Sequence, residues 1–149
     1  MGSGNKTTIV VETTVAAAVD KVWDCWTNTE HIIHWNFASP EWCCPKAEND
    51  VVPNGKFSWR MEAKDGSMGF DFTGTYKKII KNQYITYLMS DGRSVRIDFL
   101  KNGDQVTVRE TFEAEGSHSD EQQRAGWQAI LDNFKNYLES QKYRQDIYN

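Results

Sequence analysis

The chain has 149 residues, a formal net charge of −4 and three cysteines, with acidic and basic residues mixed along its length. That length suits one compact domain with a substantial hydrophobic core. The sequence contains no stripe of basic residues, which argues against nucleic-acid binding. It also contains no long uncharged apolar run, which argues against membrane insertion.

The cysteines predict reduced thiols in a cytoplasmic protein. Cys25, Cys43 and Cys44 are odd in number, two are adjacent, and no export signal precedes the first strand-like stretch. A zinc site can be drawn with His31 and His34 beside the adjacent cysteines. However, adjacent cysteines project in different directions, and the usual C-x-x-C spacing is missing. The sequence therefore predicts no metal, and no motif indicates a cofactor.

Two different periods predict the first elements. Alternation of apolar and polar residues predicts a strand at residues 7–15. Apolar residues then recur at three- and four-residue spacing, which predicts a helix with Val22, Trp23 and Trp26 on one face. We expect these tryptophans to close one end of a larger apolar core.

A second short helix is predicted next, capped by Thr27 or Asn28 and carrying Trp35 on its apolar side. Residues 36–45, NFASPEWCCP, contain two prolines and are predicted to be an irregular loop. Aromatic residues in or beside such a loop indicate either a gate over an opening or anchors that hold the loop to the core. These residues are Trp35, Phe37 and Trp42.

The middle of the chain is predicted to be an antiparallel meander. Turn-forming Asn-Gly and Asp-Gly pairs occur at residues 54–55, 65–66, 91–92 and 102–103, and residues 81–83 supply a fifth turn. Apolar and polar residues alternate in the strands between the turns, which predicts a sheet with one buried and one solvated face. Residues 84–89 are apolar at both odd and even positions, so this pattern does not show which of their side chains point inward. Gly69 and Gly74 are expected to mark a bend or bulge.

The last element is predicted to be one long amphipathic helix from about residue 120 to about residue 139. Ser119 with Gln122 forms a capping box in front of it. The fold class is therefore α+β: a curved antiparallel sheet of about seven strands around this helix, with two short helices after the first strand. We expect a single domain over residues 1–149, with an ordered core at about 7–140.

Glu110 occupies an inward position between Val108 and Phe112. An ionised, unpaired carboxylate in an apolar interior is costly, so the group must be paired, protonated or near the rim. Arg96 and Arg109 have outward parity and are poor partners. We favour either a β-bulge that shifts the register or a side chain that reaches solvent, since bulges are frequent in bent sheets. The alternative is a functional carboxyl that hydrogen-bonds a ligand or accepts a proton.

Several local patterns occur together: Val22-Trp23, TNTE at residues 27–30, Trp35, Asn54-Gly55 with Phe57, Gly74 with Tyr76, and Gly126-Trp127 with Leu131 and Leu138. In this order they resemble the helix-grip superfamily of polyketide cyclases, lipid-transfer START domains and birch-pollen allergens. The chain is most similar to the bacterial branch named after the activator of the heat-shock-protein-90 ATPase. Where members of that branch often have a Trp-Trp-Gly loop, this chain has HWNF, so a ligand's identity does not transfer.

The resemblance implies a pocket between the sheet and the long helix that takes an apolar, aromatic or lipid-like molecule. The residues expected to contact it are Trp35, Phe37, Trp59, Met61, Phe70, Phe72, Tyr76, Ile97, Val108, Glu110, Trp127, Ile130, Leu131 and Phe134. Simple core packing also explains the helical part of this set.

Two alternative functions stay open. One is a polyketide-cyclase-like enzyme that uses Glu110 as a base in the same cavity. The other is a co-chaperone-like interaction module of the stress response that contacts a chaperone through its outer face. No nucleophile elbow, phosphate loop or paired-carboxylate signature is present, which favours binding over catalysis.

Overall fold

Within residues 7–148, which the computed structural model describes with side chains for residues 7–140, the chain forms seven strands and three helices. In chain order they are β1 (Thr8–Val15), α1 (Val19–Thr27), α2 (Thr29–Ile32), β2 (Trp42–Asn49), β3 (Lys56–Ala63), β4 (Gly69–Ile80), β5 (Tyr84–Met89), β6 (Ser94–Asn102), β7 (Gln105–Glu113) and α3 (Asp120–Tyr148). The α+β fold class is confirmed. None of the described helices is both long and apolar enough to span a membrane.

The strands form one curled antiparallel sheet in the order β1-β7-β6-β5-β4-β3-β2. Strands β2 to β7 follow one another as hairpin neighbours, and β1 pairs with β7, as predicted for the first and last strands. All five predicted turns are present, with positive φ angles at Asn54, Gly66, Asn82, Gly92 and Gly103.

The prediction of an irregular loop over residues 36–45 is wrong for its last four residues. Trp42 begins β2, which pairs with β3 and continues through Pro45. The pairing shifts register between Cys43 and Lys46, so Pro45, which has no N–H to donate, lies within the irregularity. In the described part of the chain β2 is an edge strand, where proline is tolerated.

The bend expected at Gly69 and Gly74 occurs further along β4, after both glycines. Strands β4 and β5 shift register between Tyr76 and Lys78, whereas their pairing at Gly74 is regular. The absence of a side chain at Gly74 instead lets the Phe57 ring of β3 lie directly against the β4 backbone. Trp59, two residues further along β3, shares this inner face and stacks on the Phe57 ring.

Helix α3 crosses the inner face of the sheet. Trp127 stacks on Phe112 of β7 with ring centroids 3.9 Å apart, and it meets Phe72 of β4 edge-on at 6.2 Å. The capping box is confirmed: Ser119 Oγ accepts the Gln122 N–H at 3.1 Å, and Gln122 Oε1 accepts the Ser119 N–H at 3.2 Å. The helix therefore starts at a defined position relative to β7.

Helices α1 and α2 close one end of the curled sheet, as predicted, with Trp23 and Trp26 of α1 turned inward. Trp23 packs on Phe99 of β6 with centroids 5.2 Å apart, and Trp26 meets Phe134 of α3 edge-on at 5.0 Å. The side chain of Asn28 caps α2. The two helices thus contact both the sheet and α3.

We expect Gly74→Ala to lower the free energy of unfolding by about 1–3 kcal/mol, because the added methyl group overpacks a filled site. Its Cβ would lie 2.5 Å from the Leu88 carbonyl oxygen and closer still to the Phe57 ring. Urea unfolding measures the change. Gly116→Ala is the matched control, since a Cβ there meets nothing within 4 Å. Equal stability of the two variants would contradict the packing argument.

Candidate functional site

A cavity of about 380 Å³ lies among the inner face of the sheet, α3 and the segment from α1 to β2. Every strand from β2 to β5 contributes to its wall, together with β7. A protein interior normally contains few voids larger than one water molecule. The volume is instead within the range of small-molecule sites.

Nine of the fourteen residues expected at a ligand line this cavity: Trp35, Phe37, Trp59, Met61, Phe70, Phe72, Glu110, Trp127 and Ile130. The other five, Tyr76, Ile97, Val108, Leu131 and Phe134, are buried in the core outside the lining. Tyr76 donates its hydroxyl proton to Asn49 Oδ1 at 2.5 Å, which gives it a structural partner. The alternation of side chains thus identified the inner face of the sheet. It did not identify which part of that face the helix leaves uncovered.

Eight lining residues were not among the expected contacts: Trp26, Ile32, Asn36, Ala38, Ser39, Trp42, Tyr87 and Gly126. Trp26 was expected only to close the core, and Trp42 either to gate an opening or to anchor the loop to the core. Tyr87 lies in the stretch that alternation could not orient, and the structure turns it inward with Ile85 and Met89. Gly126 could have been noticed from the sequence, because a glycine inside a predicted helix is unfavourable and often has a packing or functional reason.

Aromatic rings form two groups in the cavity lining. On the sheet side, Trp59 stacks on Phe72 with centroids 5.5 Å apart, and Phe72 contacts Trp127 of α3. On the side of α1 and α2, Trp26 packs against Trp35 at 4.9 Å. Flat apolar faces on both sides suit a ring-containing ligand.

The segment between α2 and β2 is tied to the core on both of its sides. Trp35 Nε1 donates to the Cys25 carbonyl at 3.0 Å, and Asn133 Nδ2 of α3 donates to the Phe37 carbonyl at 2.8 Å. Trp35 and Phe37 therefore both anchor the segment and line the cavity. Phe70 remains 48% exposed and lies 6.1 Å from Trp42, which places these two rings where the cavity meets solvent.

Glu110 points into the cavity, and both favoured alternatives, the β-bulge and the side chain that reaches solvent, are wrong. Strand β7 keeps continuous register on both sides, with Glu110 opposite Val11 of β1 and Ile97 of β6. The residue is 5% exposed, and its carboxyl group has no hydrogen-bond or ion-pair partner among the described residues. Burial raises its pKa from 4.5 to about 8. The carboxyl group can therefore be either a neutral donor or a charged acceptor near neutral pH.

Other polar groups accompany Glu110 in the lining. The indole N–H of Trp59 is buried without a hydrogen-bond partner in the described part of the chain. Burial, and to a smaller extent the charge of Glu110, raises the pKa of Tyr87 well above its ordinary value. Asn36 is also buried at the cavity wall. A mainly apolar space with a few polar groups is the usual composition of a ligand pocket.

Local contacts or burial account for His31, His34, Cys25 and Cys44. His31 Nδ1 shares a hydrogen bond of 2.7 Å with the Tyr137 hydroxyl, and His34 stacks on the same ring. Cys25 and Cys44 are buried, and burial raises the pKa of each thiol to about 11. Among the residues with described side chains, no group of three or more His, Cys, Asp or Glu could hold a metal ion.

Comparison with known proteins matches residues 16–139 to the family described as Activator of Hsp90 ATPase homolog 1-like protein. The solution structure of an AHSA1-like protein from Aeromonas hydrophila is 41% identical, with a TM-score of 0.86 over 91% of this chain and 94% of that one. The solution structure of Chr148 from Cytophaga hutchinsonii is 47% identical, with a TM-score of 0.76 over 94% and 96%. No curated protein was found to be similar.

More distant structures share the fold alone. Protein NE0264 from Nitrosomonas europaea is 17% identical, with a TM-score of 0.74 over 91% of this chain and 96% of that one.

We expect Glu110→Gln to flatten the dependence of stability on pH between 4.5 and 8. The folded protein holds the Glu110 proton more tightly than the unfolded chain, so this stabilisation is complete below pH 4.5 and is lost as the pH rises to about 8. At pH 8 the free energy of unfolding of Glu110→Gln should exceed that of the wild-type protein by several kcal/mol. Each tenfold change in proton affinity between the folded and unfolded states corresponds to about 1.4 kcal/mol.

Urea unfolding at several pH values between 4.5 and 8 measures this profile. The exposed Glu121→Gln is the matched control and should follow the wild-type protein. If Glu110→Gln also follows the wild-type slope, the carboxyl group is not desolvated as described.

Proposed function

Because the chain belongs to the family of Activator of Hsp90 ATPase homolog 1-like proteins, we propose that it uses the cavity between sheet and helix to bind an apolar, ring-containing small molecule. The observation that carries the proposal is a space of about 380 Å³ that the described side chains leave unfilled. Close packing is the normal state of an interior, whereas a mainly apolar space of this size that opens to solvent has the usual form of a ligand pocket.

Gly126 supports the proposal. It lies within α3 at the cavity wall, and a Cβ atom there would meet no atom of the described residues within 4 Å. Glycine in a helix interior costs about 0.5–1 kcal/mol relative to alanine, and no steric contact requires it here. Its backbone therefore leaves room that a larger side chain would remove.

An acid–base enzyme is the second candidate, favoured by Glu110 alone. A carboxyl group with a pKa of about 8 inside an apolar cavity is poised for proton transfer near neutral pH. The same cavity would then hold a substrate, and the reaction would follow binding. Conversion of a bound molecule, lost in Glu110→Gln, distinguishes this candidate from a carrier.

Contact with a chaperone is a separate proposal that the family description suggests. It would use the outer face of the sheet, where side chains such as Arg60, Arg96 and Arg109 are engaged in ion pairs with neighbouring carboxylates. Chaperone association that persists when the cavity is blocked would place the function on that face. Association that is lost with the cavity would link the two.

We expect Gly126→Phe to weaken binding of the neutral fluorescent probe N-phenyl-1-naphthylamine at least tenfold, because the phenyl ring would occupy the cavity. Probe fluorescence, which rises in an apolar environment, gives the dissociation constant. Gly126→Ala should keep binding and raise the free energy of unfolding by about 0.5–1 kcal/mol.

Gly116→Phe is the matched control, since Gly116 also has open space at its Cβ but lies outside the cavity lining. It should bind the probe as the wild-type protein does. Equal binding by Gly126→Phe would show that the probe binds elsewhere, and failure of the wild-type protein to bind any apolar probe would contradict the proposed function.

A further inference from the structure

The described part of the cavity lining carries a single group that can hold a charge near neutral pH. Among these described residues only Glu110 and Tyr87 titrate, and lysine, arginine and histidine are absent. Glu110 is 5% exposed and has no partner in the described residues. An unpaired carboxylate in such a space attracts a complementary cation on whatever enters it.

The surrounding rings favour a cation as well. The face of an aromatic ring is electronegative, and an ammonium group within about 6 Å of it is attracted. Trp35, Trp59, Phe72 and Trp127 all lie in the same lining as Glu110. A carboxylate with several aromatic faces around it is a suitable receptor for an organic ammonium group.

We propose that the ligand is a ring-containing amine, whose ammonium group pairs with Glu110 while its apolar body lies against the aromatic rings of the lining. This inference rests on the proposed function, since it names the chemical class of the molecule that occupies the cavity. An anionic ligand would bring a second negative charge beside Glu110, and a hydrocarbon would leave the carboxyl group unpartnered.

We expect the pH dependence of amine binding to follow the protonation of Glu110, because the described groups that face it do not change charge near neutral pH. Its inward neighbours across the sheet are Val11 of β1 and Ile97 of β6, which do not titrate. Helix α3 presents Gly126, Trp127 and Ile130, and α1 and α2 present Trp26 and Ile32.

Strand β5 supplies the other titratable group, the hydroxyl of Tyr87, whose pKa is raised well above its ordinary value, so it stays neutral. Arg109 of the same strand as Glu110 has outward parity and pairs with Glu12 at 2.8 Å on the opposite face of the sheet.

The test compares naphthalen-1-ylmethylamine with naphthalen-1-ylmethanol, which differ in charge but hardly in shape. Each displaces N-phenyl-1-naphthylamine, so that fluorescence gives both dissociation constants. At pH 8.5 we expect the amine to bind at least tenfold more tightly than the alcohol. Below about pH 8 its affinity should fall by up to tenfold per pH unit as Glu110 takes up its proton, whereas that of the alcohol should stay nearly constant.

Glu110→Gln should remove the preference for the amine and its pH dependence while keeping alcohol binding within about threefold, and Glu121→Gln should behave as the wild-type protein. Displacement by the alcohol without any preference for the amine would overturn this inference and leave the proposed function standing. A preference that survives in Glu110→Gln would also overturn it. If neither compound nor the fluorescent probe binds, both proposals are wrong.

Discussion

One constraint governs this structure: a single long helix must cover the apolar face of a sheet much wider than itself. Seven strands span roughly 29 Å, because neighbouring strands lie about 4.8 Å apart, whereas a helix with its side chains is about 10–12 Å across. The sheet curls to reduce the mismatch, and α1 and α2 close one end. The stack of Trp127 on Phe112 holds α3 near β7, so the uncovered space opens toward β3 and β4.

The cavity and its carboxyl group both work against stability. A void forgoes dispersion contacts along its whole lining, and an inward Glu110 resists ionisation in apolar surroundings. The adjoining core, by contrast, is closely packed, with Leu131 and Phe134 fully buried. Destabilising features that occur together at one place are characteristic of functional sites, where a ligand supplies the missing contacts.

The site is assembled from residues far apart in the chain. Trp35 follows α2, Trp59 lies in β3, and Trp127 lies in α3, yet all three line one space. Alternation predicted the inward faces of the strands, because side-chain direction along a strand depends on local backbone geometry alone. It did not separate Trp59 at the cavity from Tyr76 in the core, because that depends on where α3 crosses the sheet.

Local chemistry in the sequence determined the turns, the capping box of α3, the alternating strands and the inward parity of Glu110, because each depends on residues a few positions apart. The tertiary structure alone decided that β7 has no bulge at Glu110, that Pro45 lies in an edge strand, and that Gly126 faces empty space. These outcomes depend on which strands pair and on how far one helix reaches across the sheet. Both are set by packing between distant segments, which no local pattern encodes.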